Sequence, residues 1–295
     1  MRSNNLNPGI KPDIQESLNR KSIEIFDPVG RKVRIISNEK AVEISGALGC
    51  SIRKVYIEAL KLGICPHIYL RNRDIISIDE QLKLSESTVS VIGSGGLGGY
   101  VVMLLARIGI GRLIVVDHDT FDETNLNRQV LSKMSSIGSP KSSEARLAVN
   151  LVNPAVEIIS RNEKLYKNNA YEIIKDADVV VDALDNIEDR FVLGRAVKKM
   201  RIPMVHGAVA GFDGHVMTIF PEDMDLEKLY ATKNLGGKIP EQMEKILGVP
   251  SITPCIIGGL EAMEVIKIIL KRGKILRNKM AYIDLENFRF DLFQF

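Results

Sequence analysis

A chain of 295 residues, 45% hydrophobic and 26% charged, is long enough for one large core with a small accessory module. Its formal net charge of +3 is close to balanced, which argues neither for a nucleic-acid coat nor for a membrane surface and leaves room for a local basic patch. The opening Met1-Arg2-Ser3-Asn4-Asn5-Leu6-Asn7 lacks the apolar core of a secretion signal, and no apolar run approaches the roughly 20 residues of a membrane span. Cys50, Cys65 and Cys255 form no C-x-x-C pair. A reduced, cytoplasmic protein without disulfides is expected, with neither membrane nor nucleic acid as a partner.

Residues 1–20 are polar, Asn-rich and punctuated by Pro8 and Pro12, and are expected to be poorly ordered. Residues 21–68 read as an accessory α+β module. Ser22–Phe26 and Lys32–Ile36 alternate apolar and polar residues around a Pro28/Gly30 turn, as a hairpin does. Two short helices follow, Glu39–Leu48 and Ser51–Leu62, with Gly49 between them, Ser51 as a cap and Gly63 as a stop. A helix-turn-helix invites a DNA-binding reading, but a single basic pair, Arg53-Lys54, favours a packing module instead.

Residues 69–295 form the main domain. After a short helix at 78–84, strands and helices alternate: strand 88–92, helix 96–107, strand 112–116, helix 141–152, strand 156–161, helix 168–176, strand 178–183, helix 187–200 and strand 203–208. This alternation specifies an α/β fold, a Rossmann-like doubly wound and mostly parallel sheet whose ligands bind beyond the carboxyl ends of the strands. Residues 215–220 suit a hairpin partner to strand 203–208. Residues 221–250 form a long polar connection in which Met243, Ile246 and Leu247 are spaced for one helix face. Ile256–Leu270 reads as an apolar helix with Gly258-Gly259 allowing close packing, and Met280–Leu285 and Phe288–Phe293 as closing antiparallel strands.

The chemistry gathers at the strand ends. Val89–Ile92 leads into Gly93-Ser94-Gly95-Gly96-Leu97-Gly98-Gly99, a glycine turn before a helix N-terminus, which suits a phosphate. Asp117 ends the next strand 19 positions past Gly98, where an acid can hydrogen-bond a ribose. These two features alone also fit a nicotinamide dehydrogenase. Arg128, Lys141 and Asp185 change the reading, because the alternation places all three on the glycine-loop edge. Two cations and a carboxylate suit a triphosphate with Mg²⁺, and hydride transfer needs neither.

The ordered set G-S-G-G-L-G, D-H-D-T-F-D-E-T-N-L-N-R-Q, G-S-P-K, D-A-L-D-N and T-P-C-I-I-G-G-L-E-A-M-E resembles the ThiF/MoeB/HesA family, bacterial relatives of the ubiquitin-activating enzymes. The resemblance implies ATP- and Mg²⁺-dependent adenylation of the C-terminal glycine of a small ubiquitin-like sulfur-carrier protein ending in Gly-Gly. Carried over, it puts Gly93, Gly95, Gly96 and Gly98 under the phosphates and Asp117 on the ribose. Asn125, Arg128 and Lys141 contact phosphate, and Asp185 binds Mg²⁺ beside Asn186. Arg71, in Tyr69-Leu70-Arg71, matches an arginine that acts across the interface of a homodimer. Two readings compete: a tRNA-modifying cyclase of the same superfamily, which the balanced charge disfavours, and a non-catalytic nucleotide-binding module, which the intact Arg128, Lys141 and Asp185 disfavour.

Departures sharpen the expectation. The two C-x-x-C pairs that bind structural zinc in many family members are missing, so no zinc is expected. Residues 221–250 hold no cysteine, which leaves no thioester step there and stops the reaction at the acyl-adenylate. Cys255 is expected to be a small buried packing residue. His206 and His215 are read as structural, His118 as a base contact or an exposed side chain, and Arg190 as a cation supporting the site or the carrier.

Overall fold

The computed structural model describes residues 13–224, 226–232 and 246–295. The chain divides into two compact units, one up to Leu82 and the other from Lys83 to Phe295. Among the described residues no helix is long and apolar enough to cross a membrane.

The N-terminal unit begins with a helix, α1 (Ile14–Lys21), inside the stretch expected to be poorly ordered. Its Leu18 is fully buried, and burying that side chain is what holds the segment in place; residues 1–12 lie outside the described residues. Strands β1 (Ile23–Phe26) and β2 (Lys32–Ile36) pair antiparallel from Ile23↔Ile35 to Phe26↔Lys32, as the alternation requires. Asp27 closes their turn, its carboxylate accepting the N–H groups of Val29 and Arg31 at 3.0 and 2.9 Å. Helix α2 (Asn38–Leu48) is capped by the Ser37 hydroxyl on the Lys40 N–H, and α3 (Ile52–Lys61) by Ser51 on the Lys54 N–H, each at 3.2 Å. Val55, Tyr56, Ala59 and Leu60 give α3 its buried face. A two-residue strand, β3 (Cys65–Pro66), joins β2 in parallel; it is too short to announce itself in a sequence. A 3₁₀ turn, His67–Asn72, follows, and α4 (Ile78–Glu86) runs through the division.

The second unit is built on an eight-stranded sheet. Strands β4 (Thr88–Ile92), β5 (Arg112–Val116), β6 (Glu157–Arg161), β7 (Val179–Asp182) and β8 (Met204–Ala210) pair in parallel in the order β6-β5-β4-β7-β8. Strands β9 (Asp213–Ile219), β10 (Lys279–Asp284) and β11 (Arg289–Gln294) extend it antiparallel. All five residues of β4 are buried, as a central strand covered on both faces demands. The connections run through α5 (Gly96–Ile108), α6 (Lys141–Val152), α7 (Ala170–Ile174) and α8 (Ile187–Met200). The chain leaves β4 toward β5 on one side and returns to β7 on the other, so a crevice opens between the strand ends at β4.

Helix α9 (Leu226–Thr232) follows β9. Helix α10 (Ile252–Leu270) starts four residues before the predicted Ile256. Pro254 does not delay it, because in the first turn of a helix the missing N–H has no partner to lose. Gly258 sits where a Cβ would be 3.0 Å from the Leu97 carbonyl oxygen, which is why α10 can press against α5. Met243 lies outside the described residues, whereas Ile246 and Leu247 are exposed.

Candidate active site

The glycine loop is held by two close approaches of backbone. Gly93 has φ +93°, and a Cβ there would stand 2.5 Å from the Ala183 carbonyl oxygen; a Cβ on Gly98 would stand 1.9 Å from the Gly93 oxygen. Gly95 and Gly96 differ. Their nearest neighbours to an added Cβ are Gln129 and Pro254, at an ordinary 3.5 Å, and both glycines line a cleft. Among the described residues no atom bars a Cβ at either position, and the open space beside them suits a ligand.

That cleft measures about 440 Å³, within the range of small-molecule sites. It brings together Gly93, Gly95, Gly96, Asp117, Arg128, Lys141, Asp185 and Asn186, all named from the sequence. Asp117 is buried: one oxygen accepts the Ser94 N–H at 2.7 Å and the other the Asp119 N–H at 2.9 Å, which fixes its carboxylate against the loop. Lys141 opens α6 with its side chain largely buried and its Nζ 3.0 Å from Asp119 Oδ2. Arg128 is steadied by the Thr124 carbonyl and Asn127 Oδ1, each at 2.9 Å.

Gly98 and Asn125 do not line the cleft. Gly98 serves the turn itself. Asn125 is buried, its Oδ1 accepting the Asp122 N–H at 3.1 Å in a capping box, and it does not line the cleft. Arg71 is exposed on the 3₁₀ turn of the N-terminal unit.

Asp185 is exposed just past β7, with Asn186 capping α8 through the Asp189 N–H at 2.8 Å. A carboxylate beside oxygen-bearing side chains and open to water is the donor set Mg²⁺ accepts, since that ion keeps much of its own hydration. Asp117, His118 and Asp119 also bring one ligand atom each within 4.8 Å of one another. Asp119 is engaged by Lys141 and Asp117 by Ser94, whereas Asp185 is the carboxylate of the cleft that could hold a cation.

Beneath the cleft lies a buried polar group. Asp182 Oδ2 meets His206 Nδ1 at 2.8 Å, and Arg190 Nε stands 4.0 Å from Asp182 Oδ1. Burial opposes ionisation of Asp182, but His206, the Arg190 charge and the Leu184 N–H outweigh it and hold the carboxyl below its ordinary range. Glu261 on α10 is fully buried, and among the described residues neither of its oxygens has a hydrogen-bond partner. Burial, and then the Asp182 charge, push its pKa well up against the pull of Arg190, which favours the protonated form.

The ThiF family matches residues 69–295. The chain belongs to that family. Among curated relatives, it is 33% identical over 218 residues to the SAMP-activating enzyme E1 of Haloferax volcanii, covering 74% of this chain and 80% of the relative. It is 35% identical to the molybdopterin-synthase adenylyltransferase of Haemophilus influenzae (72% and 88% covered), and 33% identical to the sulfur carrier protein adenylyltransferase of Thermus thermophilus (69% and 77%). Among solved structures, E. coli MccB with MccA-N7isoASN superposes with a TM-score of 0.68 at 19% identity, covering 86% of this chain and 78% of MccB. PaaA gives 0.63 at 17%, covering 93% and 98%. These two share the fold.

Several residues of this ThiF-family cleft escaped the sequence reading. Asp119 was legible in D-H-D, but its pairing with Lys141 depends on how the loop folds back. Gln129 ends the D-H-D-T-F-D-E-T-N-L-N-R-Q run without a role assigned to it, and Lys164 and Asp189 line the cleft with no motif to mark them. Cys255 is exposed rather than buried, because it starts the outer side of α10's first turns. His206 and His215 lie together beneath the cleft, their Nε2 atoms 3.4 Å apart.

Proposed function

We propose that this ThiF-family chain is an ATP-dependent adenylyltransferase that activates the C-terminal glycine carboxylate of a small ubiquitin-like sulfur-carrier protein ending in Gly-Gly. The observation that carries the reading is the cleft between Gly95-Gly96 and the trio Arg128, Lys141 and Asp185. The glycines leave ligand space against a helix N-terminus, and the two cations face it. The relatives named as adenylyltransferases of sulfur carriers and of molybdopterin synthase support the same chemistry.

In this reading the carrier carboxylate attacks the α-phosphorus of ATP. The bond from that phosphorus to the bridging oxygen breaks, pyrophosphate leaves with the electron pair, and an acyl-adenylate remains. Arg128 and Lys141 balance the charge spread over the phosphate oxygens, while the loop N–H groups seat the α-phosphate and Asp117 binds the ribose. Asp185, with Asn186 beside it, would hold a Mg²⁺ that offsets phosphate charge. The protein acts as a cytoplasmic homodimer in which the partner subunit's Arg71 completes each site.

ATP–pyrophosphate exchange with a purified carrier tests the assignment. Arg128→Ala, Lys141→Ala and Asp185→Ala are each expected to abolish exchange; near-normal exchange in all three would overturn it.

A further inference from the structure

Leu184 immediately precedes Asp185, and its backbone is held at both ends. Its N–H donates to Asp182 Oδ1 at 3.2 Å, while its carbonyl accepts from Arg190 Nε at 3.1 Å and from Arg190 Nη2. The two holders are themselves tied together. Arg190 Nη1 donates to the Tyr230 hydroxyl oxygen at 3.0 Å, the Tyr230 hydroxyl meets His206 Nε2 at 3.2 Å, and His206 Nδ1 meets Asp182 Oδ2 at 2.8 Å. Polarity fits one direction throughout. Asp182 selects the Nδ1–H tautomer of His206, which leaves Nε2 as an acceptor facing the tyrosine hydroxyl at 3.2 Å and, farther off, His215 Nε2 at 3.4 Å; the nearer tyrosine donates to it, and the tyrosine oxygen accepts from arginine.

The circuit draws on four elements: Asp182 on β7, Arg190 on α8, His206 on β8 and Tyr230 on α9. Asp182 and His206 are fully buried, and hydrogen bonds in such surroundings are stiff and mutually reinforcing. Tyr230 is the member whose polar atom can be removed alone. Its ring also packs edge-on against Phe191, with centroids 6.0 Å apart, so a phenylalanine would keep that packing.

We propose that Asp182, His206, Tyr230 and Arg190 form a closed positioning ring that clamps the Leu184 peptide and thereby fixes Asp185 for the metal–nucleotide complex. The proposal rests on the role given to Asp185 above. Tyr230 and His206 do not line the cleft, so they act through Arg190 and Asp182 and not on the substrate. Losing the tyrosine hydroxyl opens the ring: Arg190 keeps its Nη2 contact with the Gly207 carbonyl at 3.5 Å, but its fork loses the Nη1 anchor that sets its angle to the Leu184 carbonyl, and Asp185 loosens.

The test compares Tyr230→Phe with wild type, with Asp185→Asn as reference and Phe191→Leu as packing control. Mn²⁺ binding is titrated by electron paramagnetic resonance in the presence of a non-hydrolysable ATP analogue, alongside the Mg²⁺ dependence of pyrophosphate exchange and thermal unfolding. Tyr230→Phe is expected to weaken Mn²⁺ binding roughly tenfold, as loss of an orienting partner behind a metal ligand does, with a matching fall in kcat and little change in the KM for ATP. Phe191→Leu should leave the Mn²⁺ affinity unchanged. Wild-type Mn²⁺ affinity in Tyr230→Phe, beside its loss in Asp185→Asn, would overturn the ring alone. Unchanged affinity in Asp185→Asn would overturn both the ring and the role given to Asp185. Normal Mn²⁺–nucleotide binding without exchange would defeat the carrier reading and leave the ring to be decided by the Tyr230→Phe titration.

Discussion

Replacing Gly98 by alanine asks whether the glycine loop is shaped by backbone contact or only tolerates glycine. The added Cβ would stand 1.9 Å from the Gly93 oxygen, 2.8 Å from its carbonyl carbon and 3.1 Å from the Ala183 side chain, where ordinary contact begins near 3.4 Å. Gly93 has nowhere to retreat. Its N–H donates to the Val116 carbonyl at 2.8 Å, and its own Cα faces the Ala183 oxygen. Overpacking costs about 1–3 kcal/mol where side chains can yield. Here only backbone can yield, so about 3 kcal/mol is expected, a fall in melting temperature of roughly 6–12 °C for a unit of this size. Gly96→Ala is the matched control. It opens α5 and meets only Pro254 at 3.5 Å, so stability should hold or rise by about 0.5–1 kcal/mol. ATP binding should nevertheless fall, because the new methyl occupies the phosphate approach. Thermal unfolding and isothermal titration with ATP–Mg²⁺ read the two effects separately. A Gly98→Ala protein melting within about 1 °C of wild type would refute the steric reasoning, and wild-type ATP affinity in Gly96→Ala would remove phosphate from the loop.

Lys141→Ala should abolish measurable pyrophosphate exchange, since losing one preorganised charge donor alone costs roughly 10²–10³-fold. Its stability should change by less than about 1 kcal/mol, since the Asp119 partner is half exposed; a melting-temperature drop that accounts for the lost activity would contradict this. Glu261 carries the opposite signature. Its folded pKa is raised, so its contribution is present below the ordinary carboxylate range and is lost as pH rises, when only the unfolded chain ionises it. Glu261→Gln should therefore exceed wild type in stability at neutral pH and lose that advantage in acid; urea unfolding showing a pH-independent difference would refute the neutral-acid assignment. Mixing inactive Arg71→Ala and Asp185→Ala proteins should restore roughly a quarter of wild-type activity if the arginine acts from the partner subunit. No recovery after subunit exchange would place its action within one chain.

Much of this protein is written in local spacing. The Ser51 cap, the Gly49 stop, the period-2 hairpin and the β–α alternation depend on neighbours a few residues apart, and they form where the sequence puts them. The glycine loop, Asp117, Arg128, Lys141 and Asp185 were legible for the same reason: each follows a strand end, and parallel strands share one carboxyl edge. The short strand Cys65–Pro66, the early start of α10 and the exposure of Cys255 were not, because each depends on what the segment packs against.

The ring under Asp185 shows that division most sharply. The sequence determines that Asp182 ends a strand and that His206 lies in another, but only the parallel register of β7 and β8 sets Asp182 opposite His206. Tyr230 arrives from a helix 48 positions beyond Asp182 and completes a circuit with no motif of its own. Hydrogen bonds between buried side chains need directions as well as neighbours. Directions are fixed when distant elements pack, and so tertiary structure alone decided which carboxylate is held and which is left open to solvent.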